Sequence, residues 1–351
     1  MTEPMALVTG APGWLGTRLV RTMAEGLPDV PAFAQGSPRP IRVLVLPGQD
    51  ATALEKIAGD VRIVRGDLTD ARSLEPFFDG AAGATVFHSA GVIHPTHGVK
   101  QFYDVNVTGV RHLLAAARGA KVRRFVHVSS NSPLGCNPRP DHTFDESSPY
   151  NPYMNYGNSK KLAEDAVNEA GARGDLETVL IRPPWFYGPD QPERQTRFFR
   201  MIKEGQAPII GSGANRRSMA YVDNICQGLR LCETVAAAAG RTYWIADRRP
   251  YTLNEVVDTI ESVLEKDFGL PVAHKRRRLP NFVSEIAWLA DKTIQGLGFY
   301  QQEIHVLSEM NKTIACDISR AQTELGYEPR VDLAEGMRRS VRWMIDQGIA
   351  I

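Results

Sequence analysis

Tyr156 and Lys160 stand four residues apart in Tyr156-Gly157-Asn158-Ser159-Lys160, and Leu162, Ala163, Ala166 and Val167 continue the stretch as a helix. That separation puts the phenol and the ammonium on one helical face. A phenol with an ordinary pKa of about 10 is a poor acid or base near neutrality. A neighbouring ammonium favours the phenolate and lowers that pKa. A hydroxyl from Val128-Ser129-Ser130-Asn131 could polarise a substrate oxygen beside them. Alone, such a pair describes an exposed helix surface equally well. The second chemical signal lies far upstream, in Leu7-Val8-Thr9-Gly10-Ala11-Pro12-Gly13-Trp14-Leu15-Gly16. Gly10, Gly13 and Gly16 follow an apolar run and open an amphipathic one. Glycines there permit a tight turn, close backbone approach to a pyrophosphate, and close helix–strand packing, while the helix N-terminus supplies free N–H groups. The strand–turn–helix context favours nucleotide binding over incidental glycines.

In such folds an acid ending the second strand holds the ribose of NAD, and an Arg there accepts the phosphate of NADP. The run Ile41–Leu46 ends in Val45 and Leu46, so it carries neither device. Arg18 and Arg42 are the nearest cations in sequence. The sequence leans to NAD, with NADP as the alternative.

These residues need a scaffold. Runs at Ala6–Thr9, Ile41–Leu46, Val61–Arg65, Thr85–Ser89, Arg124–Ser129 and Thr178–Ile181 are rich in Val and Ile without clean alternation. That pattern predicts parallel strands buried on both faces. Helical spacing at Trp14–Glu25 and Val105–Arg118 lies between them. The rhythm predicts βαβ units and an α/β doubly wound parallel sheet of the Rossmann type, with a smaller, mostly helical C-terminal substrate domain. Four prolines in Leu27–Pro40 make that segment a surface insertion. The expected division is 1–182 with returning segments about 219–247 for the dinucleotide-binding part, and 183–218 with 248–351 for an interleaved cap. Within the cap, Lys275-Arg276-Arg277-Arg278 precedes Phe282, Ile286, Ala290, Ile294 and Leu297 at helical spacing. A basic loop before an ordinary packed helix is the favoured reading. An interfacial helix meeting acidic lipid or hydrophobic substrate is the other.

With these pieces in order, the sequence resembles the extended short-chain dehydrogenase/reductase superfamily over nearly its whole length. Gly66-Asp67-Leu68-Thr69-Asp70 looks like its adenine-contacting segment, and Phe87-His88-Ser89-Ala90-Gly91 like its cofactor-lining loop. Asn106 matches the central-helix Asn that helps hold the active-site Lys through water. The family's catalytic Ser precedes a glycine by five residues, which selects Ser130, with Ser129 as fallback. Arg182-Pro183-Pro184-Trp185-Phe186-Tyr187-Gly188-Pro189 is similar to the segment over the nicotinamide. Arg217 with Tyr221-Val222-Asp223-Asn224, and Asp317-Ile318-Ser319 with Leu325-Gly326-Tyr327 and Pro329, resemble its later signatures. The resemblance implies hydride transfer between a nicotinamide and a carbinol or carbonyl carbon. Ser130, Tyr156, Lys160 and Asn106 would form the catalytic set. Gly10, Gly13, Trp14, Leu15, Gly16, Asp67, Leu68, Ser89, Ala90, Tyr156, Lys160 and Pro183 would line the cofactor. It also makes a homodimer the expectation.

Substrate class divides two ways. Arg217 stands where sugar-nucleotide enzymes carry an Arg for a diphosphate, and an Arg fork suits phosphate oxygens. Those enzymes commonly have Asn where Trp185 stands, and an indole serves a flat hydrophobic ligand better. The balance favours a 3β-hydroxysteroid-like or other hydrophobic alcohol or ketone, with a nucleotide-sugar epimerase or dehydratase as the alternative. A non-catalytic nicotinamide sensor would be expected to lack Tyr156 or Lys160. Composition narrows the rest. The 351 residues are 43% apolar and 23% charged with a net charge of +1, which offers no basic excess for nucleic acid. Four scattered cysteines suit free thiols in a reducing compartment. Met1–Pro4 lacks a charged n-region and apolar h-region, and no apolar run reaches the roughly 20 residues that span a bilayer. A cytoplasmic location is expected. His94 and His97, split by Pro95 with no nearby Cys or carboxylate, predict a loop and no metal.

Overall fold

The computed structural model describes residues 4–351, so the reading of the extreme N-terminus lies mostly outside the described residues. Six strands come from the expected runs: β1 (Ala6–Thr9), β2 (Ile41–Val45), β3 (Val61–Arg65), β4 (Thr85–His88), β5 (Arg124–Val128) and β6 (Glu177–Arg182). With Thr242–Trp244 they form one seven-stranded sheet in the order Thr242–Trp244, β6, β5, β4, β1, β2, β3. All pairs are parallel. The order reverses between β1 and β4, and a doubly wound sheet opens its ligand crevice at such a switch point.

Helix α1 (Trp14–Glu25) and helix Val222–Thr234 pack together on one face with Leu19, Val20, Ile225 and Leu229 buried. Leu113, Leu114 and Ala117 on Val110–Gly119, with Ala163 and Val167 on Met154–Ala172, close the other face. The expected helix at Val105–Arg118 is longer. It runs from Lys100 to Gly119, with a π-helical turn at Asp104–Gly109 that carries Asn106. A second core lies in the cap. There Phe199, Ile209, Met219, Val256, Ile260, Met337 and Val341 pack between helices Glu193–Lys203, Leu253–Ser262 and Leu333–Asp346.

Four expectations change. β3 is the sheet's edge strand, so none of its residues is fully buried. The proline-rich Leu27–Pro40 is no mere surface insertion, because Leu27, Val30 and Phe33 form a small buried cluster with Leu231. Arg39 at its end makes a buried fork to Glu233 at 2.6 and 2.9 Å. The stretch Cys316–Tyr327 packs with the sheet-side cluster and not with the cap. Finally, helix Phe282–Gly296 is not packed along its apolar stripe: Phe282, Ile286 and the following Leu297 are 61%, 63% and 71% exposed.

Candidate active site

The turn after β1 is as tight as its glycines allow. Gly10 has φ +95°, and a Cβ there would stand 2.4 Å from Ser89 Oγ. A Cβ on Gly16 would stand 2.4 Å from the carbonyl carbon of Gly10. Gly13 opens α1 with no side-chain cap, and the first turn holds no acid. The first N–H groups of Trp14 and Leu15 are therefore left for an anion. Trp14 spends its indole N–H on the Pro189 carbonyl at 2.6 Å, while Leu15 is buried below. Across the switch point, Ser89 Oγ donates to Thr9 O at 2.8 Å and Ala90 follows beside it. Asn106 clamps the same loop, accepting from Val92 N at 2.8 Å and donating to Val92 O at 2.9 Å and Ser159 Oγ at 3.1 Å. Its direct partners are thus the loop and the helix, and Lys160 is not among them. Asp67 caps its own turn through Thr69, and Leu68 O meets His112 Nδ1 at 2.8 Å. Pro183 is buried beyond β6. This cradle fits a dinucleotide pyrophosphate.

Arg18, considered for a 2′-phosphate, forks Asp223 at 2.5 and 2.8 Å. Arg42 is spent on the carbonyls of Phe77 and Asp79 at 2.8 and 2.7 Å. Arg65 ties the β2–loop junction through Leu46 O and Gln49 O. All three guanidiniums already have protein partners.

Helix Met154–Ala172 carries Tyr156 and Lys160. Lys160 is 4% exposed; its ammonium donates to Val128 O at 2.8 Å and lies 3.4 Å from His127 Nε2. Burial lowers its pKa to about 8, with Glu164 opposing. Tyr156 is half-buried at the cleft, and burial pushes its phenol up to about 12, with the nearby Ser130 hydroxyl drawing it back. Glu309 raises it further and Arg194 lowers it. The expected effect of Lys160 on the phenol is therefore not what sets it in this geometry, because the ammonium points to the β5 end. Ser129, the fallback, is committed elsewhere: its Oγ donates to Glu164 at 2.5 Å. Glu164 also holds Arg182 at 2.6 and 3.0 Å and accepts from Tyr150 at 2.7 Å. This buried knot fixes the Tyr–Lys helix to β5 and β6, and Glu164, four residues beyond Lys160, was open to discovery from spacing. His88 ends β4 fully buried, with Nδ1 2.7 Å from Thr9 Oγ1.

Aromatic groups line the cleft outward from Tyr156. Phe102 lies 5.8 Å from the Tyr156 ring and 5.7 Å, edge-on, from Tyr300. Tyr300 OH meets His94 Nδ1 at 2.7 Å, and burial with nearby Arg194 lowers His94 to about 4. His94 therefore has a hydrogen-bond role, and among the described residues no group of three or more His, Cys, Asp or Glu is placed to hold a metal. Arg194 was missed by sequence reasoning because no motif surrounds it. It stands exposed at the start of helix Glu193–Lys203, and its charge reaches Tyr156, Tyr300 and His94. Its outer side stays open to solvent, and among the described residues it has no hydrogen-bond or ion-pair partner. Arg217 sits differently: its guanidinium is bonded to the Glu309 carbonyl. Trp185 leans on Phe198 at 5.7 Å, at the rim of the cap core.

Residues 6–246 match the family model described as NAD dependent epimerase/dehydratase family. The chain is 50% identical to the uncharacterized protein y4nL of Sinorhizobium fredii, over 99% of this chain and 97% of the other. It is 29% identical to 3beta-hydroxysteroid-dehydrogenase/decarboxylase isoform 1 of Arabidopsis thaliana, over 97% and 79%. Identity to the 2-alkyl-3-oxoalkanoate reductase of Shewanella oneidensis is 27%, over 95% and 84%. Among solved structures, a dTDP-glucose 4,6-dehydratase from Streptomyces venezuelae with NAD bound superposes with a TM-score of 0.73 at 25% identity, covering 97% of each chain.

Proposed function

The chain belongs to the NAD dependent epimerase/dehydratase family, and on that premise we propose that it is an NAD(P)-dependent oxidoreductase acting on a hydrophobic secondary alcohol or ketone that carries a carboxylate near the reacting carbon. Arg194 carries this reading. It is an exposed cation with no hydrogen-bond or ion-pair partner among the described residues, and its charge reaches Tyr156, whereas Arg217, the residue a sugar diphosphate would need, already gives one N–H to a backbone carbonyl. A guanidinium fork matches a carboxylate. The names of the sterol-type and 3-oxoalkanoate relatives point to substrates of the same kind.

The nicotinamide, when bound, supplies or accepts the hydride. Tyr156 keeps its proton near neutrality and donates it to a carbonyl oxygen on reduction, or receives it back on oxidation. Ser130 hydrogen-bonds the same oxygen and steadies its developing charge. Lys160 places a positive charge behind them. Arg194 orients the acid group, and Phe102 with Tyr300 holds the apolar body. NAD is the preferred cofactor, since Arg18, Arg42 and Arg65 are already engaged.

The test is steady-state kinetics on a 2-alkyl-3-oxo acid and on the ketone lacking its carboxyl group, with NADH and NADPH. Arg194→Gln should raise KM for the acid by about 10- to 100-fold and leave the plain ketone nearly unchanged. Tyr156→Phe should lower turnover on both by about 100-fold. Equal loss on both substrates in Arg194→Gln would refute the carboxylate reading. Low-micromolar UDP binding abolished by Arg217→Ala would establish the sugar-nucleotide alternative instead.

A further inference from the structure

Helix Phe282–Gly296 is built inside out. Its inward face is polar: Ser284, Asp291 and Gln295 are buried beside Ala287. Each has a partner there, with Ser284 Oγ donating to Leu307 O at 2.8 Å, Asp291 accepting from His305 at 2.7 Å, and Gln295 Oε1 accepting from Asn155 Nδ2 at 3.0 Å. The outward face is apolar. Phe282, Ile286 and Leu289 are each more than 60% exposed at spacings of four and three, and Leu297 and Phe299 extend the same surface. Val306 on the packed neighbour Gln302–Glu309, and Ile93 in the loop beside His94, are also exposed. Seven of the ten large exposed apolar residues among the described residues therefore belong to this one region. A contiguous apolar patch of that kind marks an interaction surface.

Charge says what covers it. Lys275 and Arg277, just before the helix, and Lys292 on it, are exposed and have no acidic partner among the described residues. The helix's own acids are engaged, Glu285 by Lys312 and Asp291 by a hydrogen bond with His305. The neighbouring helix adds one exposed acid, Glu303. Aromatic and aliphatic side chains flanked by uncompensated cations form the composition of a helix that lies in an anionic lipid interface. Trp288, with Lys292 over its ring at 5.1 Å, stands at the border between the two faces.

We propose that Phe282–Phe299 docks this protein on anionic membrane surfaces, with Phe282, Ile286, Leu289, Leu297 and Phe299 in the acyl boundary and Lys275, Arg277 and Lys292 at the headgroups. The rim leads inward. Tyr300, directly after Phe299, reaches His94 and stacks edge-on against Phe102, which abuts Tyr156. A lipid-dissolved substrate would enter the cleft from the docked side.

Docking is read without any substrate, so it stands or falls apart from the proposed function. The full chain is sedimented with phosphatidylcholine vesicles with and without phosphatidylglycerol. Binding should appear only with the anionic lipid and fall severalfold as salt is raised. Ile286→Glu with Leu289→Glu should lower vesicle affinity by about tenfold or more. Both positions point to solvent, so an unchanged melting temperature shows that the fold survives. Absence of wild-type binding to anionic vesicles, or binding that the double variant retains, overturns the proposal. So does a concentration-dependent dimer in light scattering that the double variant abolishes, since that would make a second copy the occupant.

Discussion

In the proposed mechanism Lys160 serves chemistry at the expense of stability. Its position four residues after Tyr156 was legible in the sequence, but its environment was not, because Val128 and His127 approach only when β5 is placed beside the helix. Burial brings the ammonium from an ordinary 10.5 down to about 8. Between those two values the unfolded chain holds the proton more firmly than the folded one. Stability therefore rises with pH across that window, and below pH 8 the full cost of burying the charge is present, roughly 3 kcal/mol. Lys160→Met should raise the melting temperature at pH 7 and lose that advantage as pH approaches 10, while turnover collapses. Thermal unfolding at both pH values checks it. A methionine variant less stable than wild type at pH 7 would mean that the bond to Val128 O outweighs the burial of charge.

At the scale of elements, periodicity identified the strands and most helices, but it could not say which side of an element faces inward. The stripe Phe282, Ile286, Leu297 had helical spacing, yet the partners that decide its orientation, Asn155, His305 and Leu307, are distant or lie in a different element. β3 reads like a central strand because Val and Ile suit an edge as well as a centre. The strand ends hid another feature. His88 and His127 are register partners across β4 and β5, with ring centroids 5.1 Å apart. His88 Nε2 and His127 Nδ1 have no hydrogen-bond partner, and the Lys160 ammonium stands beside them. Burial, followed by Lys160, holds His88 at about 3 and His127 well below its ordinary 6.5. The unfolded chain binds these protons below pH 6.5 while the folded one refuses them. Stability is accordingly lost as pH falls from 6.5 towards 4, with the pair contributing up to about 2.7 kcal/mol per pH unit. Denaturant titrations between pH 7 and 5 should show His127→Gln removing about half of the pair's contribution. An unchanged slope would show that His127 is protonated in the fold.

At the scale of the whole molecule, the division into sheet and cap was only partly legible. Cys316–Tyr327 follows the cap in sequence, but its apolar residues fit the cluster around Trp244 and Ile245. The joint between the two cores is Asp247, just after the last sheet strand. Its carboxylate accepts from Tyr187 OH at 2.7 Å, Tyr221 N at 3.1 Å and Asn224 Nδ2 at 3.1 Å. Asn224 in turn receives Arg330 N and Val331 N, so four separate stretches of chain meet at this one acid. Burial nevertheless raises Asp247 to about 7, its three hydrogen bonds opposing only in part. Here the linkage runs against the histidines. A folded pKa above the unfolded value gives stability that is complete below pH 3.8 and is lost as pH rises through about 7. Between pH 5 and 6 the folded state holds one proton on Asp247 that the unfolded state lacks, which offsets one of the two histidine protons. Asp247→Asn keeps an oxygen for Tyr221 and Asn224 but cannot ionise. Its unfolding free energy should therefore fall more steeply than wild type on acidification from pH 6 to 5, by about 1.4 kcal/mol per unit. Asp247→Ala leaves three donors without an acceptor and should cost roughly 2–5 kcal/mol at every pH. Denaturant unfolding of both variants at pH 5, 6 and 8 separates the two effects. Parallel pH profiles for wild type and Asp247→Asn would mean that the joint carries its charge throughout, held by the hydrogen bonds and not relieved by a proton.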